Sequence, residues 1–131
     1  MIKDWVDKAE EDLQAAVDLL KNSQSSAAVI CFLTQQCTEK YLKAKLVMEG
    51  TSFPKTHDIE NLIGLLPHGV ALTLSIQEQR RLTTYAVLTR YPGTYAPLTR
   101  SDAVDAVKIA RRVRKEIRRL LPKQALRKRA R

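Results

Sequence analysis

The stretch Arg90-Tyr91-Pro92-Gly93-Thr94-Tyr95 brings together the side chains best matched to a nucleotide. A guanidinium offers a fixed fork of N–H donors suited to phosphate, and Tyr91 and Tyr95 offer ring faces on which a base can stack. The same residues make a poor acid–base pair. RNA cleavage needs a group that titrates near neutrality, and tyrosine's ordinary value of about 10 is far from it. His57 could supply that titration if the fold carried it beside Arg90. Its position before Asp58, at the start of a helix-like run, reads more simply as a capping or turn-fixing residue. Arg90 has an ordinary role open to it as well: bonding the free carbonyls of a helix end, or pairing with Glu39.

A second polar set is Gln36, Lys40 and Lys43. Gln36 lies four residues before Lys40 and Lys43 three after it, so a helix would carry all three on one strip. That strip could line a groove for nucleotide phosphates. It could equally be a solvated face on which Glu39 and Lys43 form an ordinary i,i+4 pair. The third set is a run of cations near the C-terminus. Arg111, Arg112, Arg114, Arg118 and Arg119 lie opposite an apolar stripe, and Arg127, Lys128, Arg129 and Arg131 follow them. Together they make a field able to gather a polyanion, nucleic acid first and an acidic protein second. A solubilising tail is the alternative. A membrane surface is not expected, because the stripe on that helix is needed for a core.

The metal-ligating inventory is thin. The chain has two His and two Cys. Cys31 and Cys37 fall on different faces of one helix, which predicts two reduced core thiols rather than a disulfide or a zinc site. No P-loop, G-x-G-x-x-G, H-E-x-x-H or G-x-S-x-G occurs, so no cofactor is expected.

These residues need elements to position them. The organising stretch is Ala27 to Gly50, where Ile30, Leu33, Cys37, Tyr41, Ala44 and Met48 recur at gaps of three and four. Ala27, Leu42 and Leu46 widen the stripe, which suits a helix contacted by several neighbours. From Ser26 to Glu49 it would be roughly 36 Å long. Gly50 is a natural stop. A first helix from about Ile2 to Lys21 carries Trp5, Ala9, Leu13, Ala16, Val17 and Leu20 on one face, and a short polar turn folds it back as an antiparallel neighbour. Ser25 or Ser26 can cap the second helix. Pro54 interrupts the chain, and Ile59, Leu62, Ile63 and Leu66 form a short helix ended by Pro67-His68-Gly69. Ser75 with Glu78 is a capping-box pair opening a helix that carries Ile76, Leu82, Tyr85, Ala86 and Leu88, and stops at Arg90–Gly93. Thr99 with Asp102 opens the last long helix, striped by Ala103, Ala106, Ala110, Val113, Ile117 and Leu120 and ended by Pro122. The remainder, 123–131, reads as a disordered basic tail. No strand alternation and no repeat is present, so the expected fold is all-α: an antiparallel up-and-down bundle of four to five helices over residues 1–122.

Composition agrees. The 131 residues suffice for one domain with a real core, and four Gly and five Pro fit short connections. The net charge of +9 is uneven: residues 108–131 hold twelve Lys/Arg against one acid, Glu116, while the rest is slightly acidic. MIKDWVDKAEED offers no secretory hydrophobic region, and the longest apolar run cannot span a bilayer, so a cytoplasmic protein is expected.

Four stretches in order resemble one family. Gln36-Cys37-Thr38-Glu39-Lys40-Tyr41-Leu42-Lys43-Ala44 is similar to the Q-x-x-E-K-x-x-K-A helix of the HEPN (higher eukaryote and prokaryote nucleotide-binding) domain. Thr56-His57-Asp58-Ile59 with Leu62 resembles its T-H-D-L-x-x-L start of a third helix. Arg90-Tyr91-Pro92 resembles the R-Y-P turn of one branch, and Trp5 with Ala9-Glu10, Asp12-Leu13 and Ala15-Ala16 fits the family's opening. The resemblance implies a helical bundle that pairs with itself and works with a separately encoded minimal nucleotidyltransferase, some such pairs acting as toxin and antitoxin. Other branches are metal-independent ribonucleases using R-x4-6-H, and there this sequence departs. Counting from Arg90, the allowed positions hold Tyr95, Ala96 and Pro97. The expected function is a non-catalytic, nucleotide- or RNA-associating subunit. A ribonuclease toxin using Arg90 with Tyr95 or His57, and a plain protein-interaction module, are the rivals.

Overall fold

A computed structural model describes residues 1–88 and 97–128. Among them there is no strand. Six helices follow in order: α1 (Ile2–Leu20), α2 (Ala27–Met48), α3 (Ile59–Gly64), α4 (Ile76–Leu88), α5 (Arg100–Arg118) and α6 (Lys123–Leu126). The expected all-α bundle is what forms.

α2 is the axis. Thirteen of its 22 residues are buried, on every side, because α1, α5, α4 and α3 all pack against it. Its ends are chemically defined. The Ser26 hydroxyl accepts from the Val29 N–H at 3.3 Å. At the other end Gly50 adopts φ +67°, and the N–H groups of Gly50 and Thr51 donate to the carbonyls of Val47 and Leu46, each at 3.0 Å. That paired reversal satisfies two carbonyls the helix would otherwise leave open, and it requires the left-handed conformation glycine tolerates. Small residues let the neighbours approach closely: Ala9 and Ala16 of α1, Ala44 of α2, and Ala103, Ala106 and Ala110 of α5 are all fully buried.

Both expected capping boxes are present. Ser75 N–H donates to Glu78 Oε1 (2.9 Å) and Glu78 N–H to Ser75 Oγ (3.0 Å). Thr99 and Asp102 make the same reciprocal pair at the start of α5. α3 is capped by Asp58, whose carboxylate accepts from the Asn61 N–H, rather than by Thr56 or His57.

The structure corrects the sequence reading in four places. α3 stops at Gly64, three residues before Pro67. α5 ends at Arg118 rather than at Pro122, and the change of register turns Leu121 inward and leaves Leu120 39% exposed. Residues 123–126 are not a disordered tail: Pro122 starts the turn α6, which buries Ala125 and packs on α1. Ile76, counted with the core of α4, stands half exposed. The stop expected at Arg90–Gly93 lies outside the described residues.

Candidate functional site

α1 and α5 both lean on α2 and touch each other only lightly, so an open groove of about 1110 Å³ runs between them, closed at one end by α6. Its floor is Val6, Leu13, Val17 and Leu126. The helical repeat of α5 decides the rest. Ala106, Ala110, Val113 and Ile117 turn to α2, which leaves Arg111, Arg114, Lys115, Arg118 and Arg119 on the groove side. Arg127 and Lys128 follow from α6, while Asp7, Glu10 and Glu11 of α1 stand opposite. Five of the residues expected to hold a polyanion, Arg111, Arg114, Arg118, Arg127 and Lys128, therefore share one surface; Arg129 lies outside the described residues. Arg112 does not join them. It turns the other way and pairs with Glu78 of α4, clamping the start of that helix to α5.

Glu10 sits at the centre. Arg114 Nη2 donates to its Oε1 at 2.8 Å, and Arg114 Nε donates to both carboxylate oxygens, at 3.0 and 2.9 Å. The Tyr41 hydroxyl, reaching out from α2, donates to Glu10 Oε2 at 2.7 Å. Arg118 Nη1 lies 3.5 Å from Glu10 Oε1 and donates to the Tyr41 hydroxyl oxygen at 3.2 Å. Burial pushes the Glu10 carboxyl up, but the bonds from Arg114 and Tyr41 and the charges of Arg114 and Arg118 outweigh it, so its pKa lies below the ordinary carboxylate value. Tyr41 moves the other way, raised by burial and by its bond to Glu10. By contrast Arg111, Lys115 and Arg119 form no ion pair among the described residues.

On the strip of Gln36, Lys40 and Lys43 each side chain has a partner within the chain. Lys40 crosses to Asp12 of α1. Gln36 donates to Gln35 Oε1 at 2.6 Å. Lys43 is buried: its ammonium meets Glu39 Oε2 at 3.0 Å and lies 5.5 and 5.7 Å from the ring centres of Trp5 and Phe53. The i,i+4 pair with Glu39 is real, but it is internal rather than solvated. The burial of every other α2 face leaves it nowhere else to go.

Glu39 also binds the α2–α3 connection. Its Oε1 accepts from Gln35 Nε2 at 3.1 Å and lies 2.7 Å from His57 Nδ1, while Gln35 Nε2 donates to the His57 carbonyl at 3.1 Å. His57 is thus turn-fixing, with its ring partly exposed. Arg90, Tyr91 and Tyr95 lie outside the described residues. Three participants escaped the sequence reading, Glu10 among them. Gln35 gives no periodic signal next to Gln36, and Tyr41 reads as core because it is core; only its hydroxyl bond to Glu10 links it to the groove. Cys31 and Cys37 are buried free thiols, Cys31 pushed up to about 12 by burial and by Asp102, and Cys37 raised by burial. Among the described residues no group of three or more His, Cys, Asp and Glu could hold a metal, and no helix is long and apolar enough to cross a membrane.

The family model described as the HEPN domain matches residues 2–120. The chain belongs to the HEPN family. Among curated relatives of this HEPN protein is "Putative toxin MJ1304" of Methanocaldococcus jannaschii, 30% identical, with 83% of this chain and 80% of that one covered. Two solved structures superpose closely. TT1696 from Thermus thermophilus gives a TM-score of 0.81 at 27% identity, covering 92% of this chain and 98% of that one. ST0689, described as an archaeal HEPN homologue, gives 0.72 at 28% identity, covering 92% and 97%.

Proposed function

We propose that this HEPN protein is a non-catalytic, RNA- or nucleotide-associating subunit of a toxin–antitoxin type pair, dimeric, whose partner is a separately encoded nucleotidyltransferase. The observation that carries the RNA contact is the groove, where seven Lys/Arg face three acids along α1, α5 and α6. A surface of that balance gathers a polyanion by releasing its counterions. The toxin association rests on the M. jannaschii relative, itself named a "Putative toxin". The nucleotidyltransferase and the self-pairing rest on the resemblance of the R-Y-P branch. The lack of catalysis rests on Tyr95, Ala96 and Pro97 standing where the family's nucleases place histidine.

The test is fluorescence anisotropy with a labelled oligoribonucleotide across a salt series. Binding should weaken steeply with salt, and Arg111→Glu with Lys115→Glu should weaken it strongly without altering the fold. Absence of binding to RNA and mononucleotides at low salt would leave a plain interaction module. Co-expression with a minimal nucleotidyltransferase from the same genome, followed by co-purification, tests the partner.

A second reading has one observation in its favour. Buried Glu39 against His57 Nδ1, with the ring partly exposed, is the arrangement of a carboxylate that orients a histidine general base. Cleavage of RNA by the metal-free protein, abolished by His57→Ala or Arg90→Ala, would replace the subunit reading with a ribonuclease toxin.

A further inference from the structure

Glu10 holds a place in the groove that its surroundings suit better to a ligand. Two guanidinium groups and one phenol hydroxyl converge on a single carboxylate. That donor set, a two-pronged arginine with a second arginine and a hydroxyl beside it, is the one that holds a phosphate. It is not sealed off. The side chains of Glu10, Arg114 and Arg118 keep 33%, 38% and 23% of their surface exposed, all toward the groove. The outer ridge of Arg111, Lys115 and Arg119, which has no acidic partner among the described residues, stands ready to make the first contact. The two inner arginines are masked by an acid of the same chain.

We propose that Glu10 is a tethered competitor for the groove's ligand. When a polyanion strand settles on the ridge, one of its phosphates takes the seat between Arg114, Arg118 and the Tyr41 hydroxyl, and the Glu10 side chain rotates out to solvent. This rests on the RNA-associating reading and adds to it a phosphate seat and a built-in brake on affinity. The brake keeps empty protein from carrying two unpaired arginines on a half-buried wall, and it lowers affinity for anions too short to engage the ridge as well.

Glu11 supplies the control. It lies on the same wall and carries the same charge, but it pairs with Lys8 and holds no arginine. The experiment measures binding of one labelled single-stranded oligoribonucleotide to the wild type, Glu10→Gln and Glu11→Gln over a potassium chloride series. Removing a unit charge about 6 Å from a phosphate, at an effective dielectric near ~40, should tighten Glu10→Gln about tenfold. One phosphate fills the seat in either chain, so the log–log salt slopes of the wild type and Glu10→Gln should differ by less than about 0.7, the value of one contact on a single strand. Glu11→Gln should change affinity less than about threefold, since an exposed charge is screened. If the wild type binds and the two variants behave alike, the competitor idea is overturned and the RNA reading survives. If no variant binds, both fall. Binding by Glu10→Gln alone would uphold the competitor and remove RNA association from the natural chain. A wild-type measurement guards against a misfolded variant: the Arg114 Nε–H resonance must shift at saturating oligonucleotide, and an unmoved signal overturns the proposal.

Discussion

Replacing Lys43 with methionine should be among the most damaging single changes available in this bundle, although it removes only one charge. Lys43 and Glu39 keep 9% and 4% of their side-chain surface exposed, so both charges are removed from water. A buried pair of this kind is neutral or slightly unfavourable against apolar replacements, yet removing one partner strands the other, at a cost of about 3–5 kcal/mol. Lys43→Met leaves Glu39 with the Gln35 amide and His57 as its neighbours, so the expected loss falls near the bottom of that range, about 3 kcal/mol. Glu39→Gln strands the ammonium beside the Trp5 and Phe53 rings, which attract a desolvated cation by about 1–2 kcal/mol. Its expected loss is therefore smaller, about 2 kcal/mol. The double variant leaves no buried charge at these two positions and should lose only about 1 kcal/mol. Those values give a coupling of about 4 kcal/mol between the two positions.

Urea unfolding followed by far-UV circular dichroism at neutral pH measures all three. With a slope near ~2 kcal/mol/M, Lys43→Met should move the midpoint by about 1.5 M and the double variant by about 0.5 M. Additive losses, with a coupling below about 0.5 kcal/mol, would refute the claim that Glu39 and Lys43 depend on each other inside the core.

Acid should act through Glu10. Its carboxyl is held below the ordinary value in the folded chain, so its contribution is present above about pH 4.3 and lost as pH falls through the lower folded value. Thermal melts from neutral to strongly acidic pH should therefore show a shallower acid loss in Glu10→Gln than in the wild type; parallel acid limbs would contradict this. Thr99→Ala removes the hydroxyl of the α5 capping box and should cost about 1 kcal/mol by urea unfolding. An unchanged midpoint would mean the start of α5 is held by other contacts. Both thiols should resist a disulfide-exchange reagent at about pH 8 until the chain unfolds, because the thiolate is the reactive form. A stoichiometric burst from native protein would place one of them nearer the surface than its burial indicates.

The bundle was legible where one physical rule acted alone. The three-and-four spacing of α2 and the paired caps at Ser75 and Thr99 need only local geometry, and they carried through. Where a side chain could serve two surroundings, spacing could not choose. Lys43 reads as a surface lysine from its neighbours in the sequence, and only the arrival of Trp5 and Phe53, whose rings meet edge to face beside it, encloses it. The cations of α5 were read as one face, but α4 and α1 each claim some of them: Arg112 goes to Glu78, and Arg114 and Arg118 go to Glu10. α6 was lost for a related reason. KQAL flanked by basic residues looks solvated, and it takes the α1 surface to give Ala125 somewhere to bury.

Apart from Glu10 and Leu13, which fit the family's opening and also line the groove, the residues that carry the family resemblance and those that form the groove do different work. Gln36, Glu39, Lys43 and His57, all family marks, are tied to one another or to neighbouring Gln35, and they join α2 to the loop before α3. Their chemistry holds the bundle together. The groove draws on Arg111, Lys115 and Arg119, which no family motif includes, and on Arg114 and Arg118, which Glu10 keeps occupied. Tyr41 connects the two, with its ring in the α2 core and its hydroxyl on the Glu10 carboxylate. The division can be measured. Substitutions at Glu39 or Lys43 should shift unfolding midpoints while the remaining folded protein binds as before, and substitutions along the α5 ridge should do the reverse. Only Tyr41→Phe, which leaves the ring and removes the hydroxyl, should move the ligand affinity of Glu10→Gln with little change in the core.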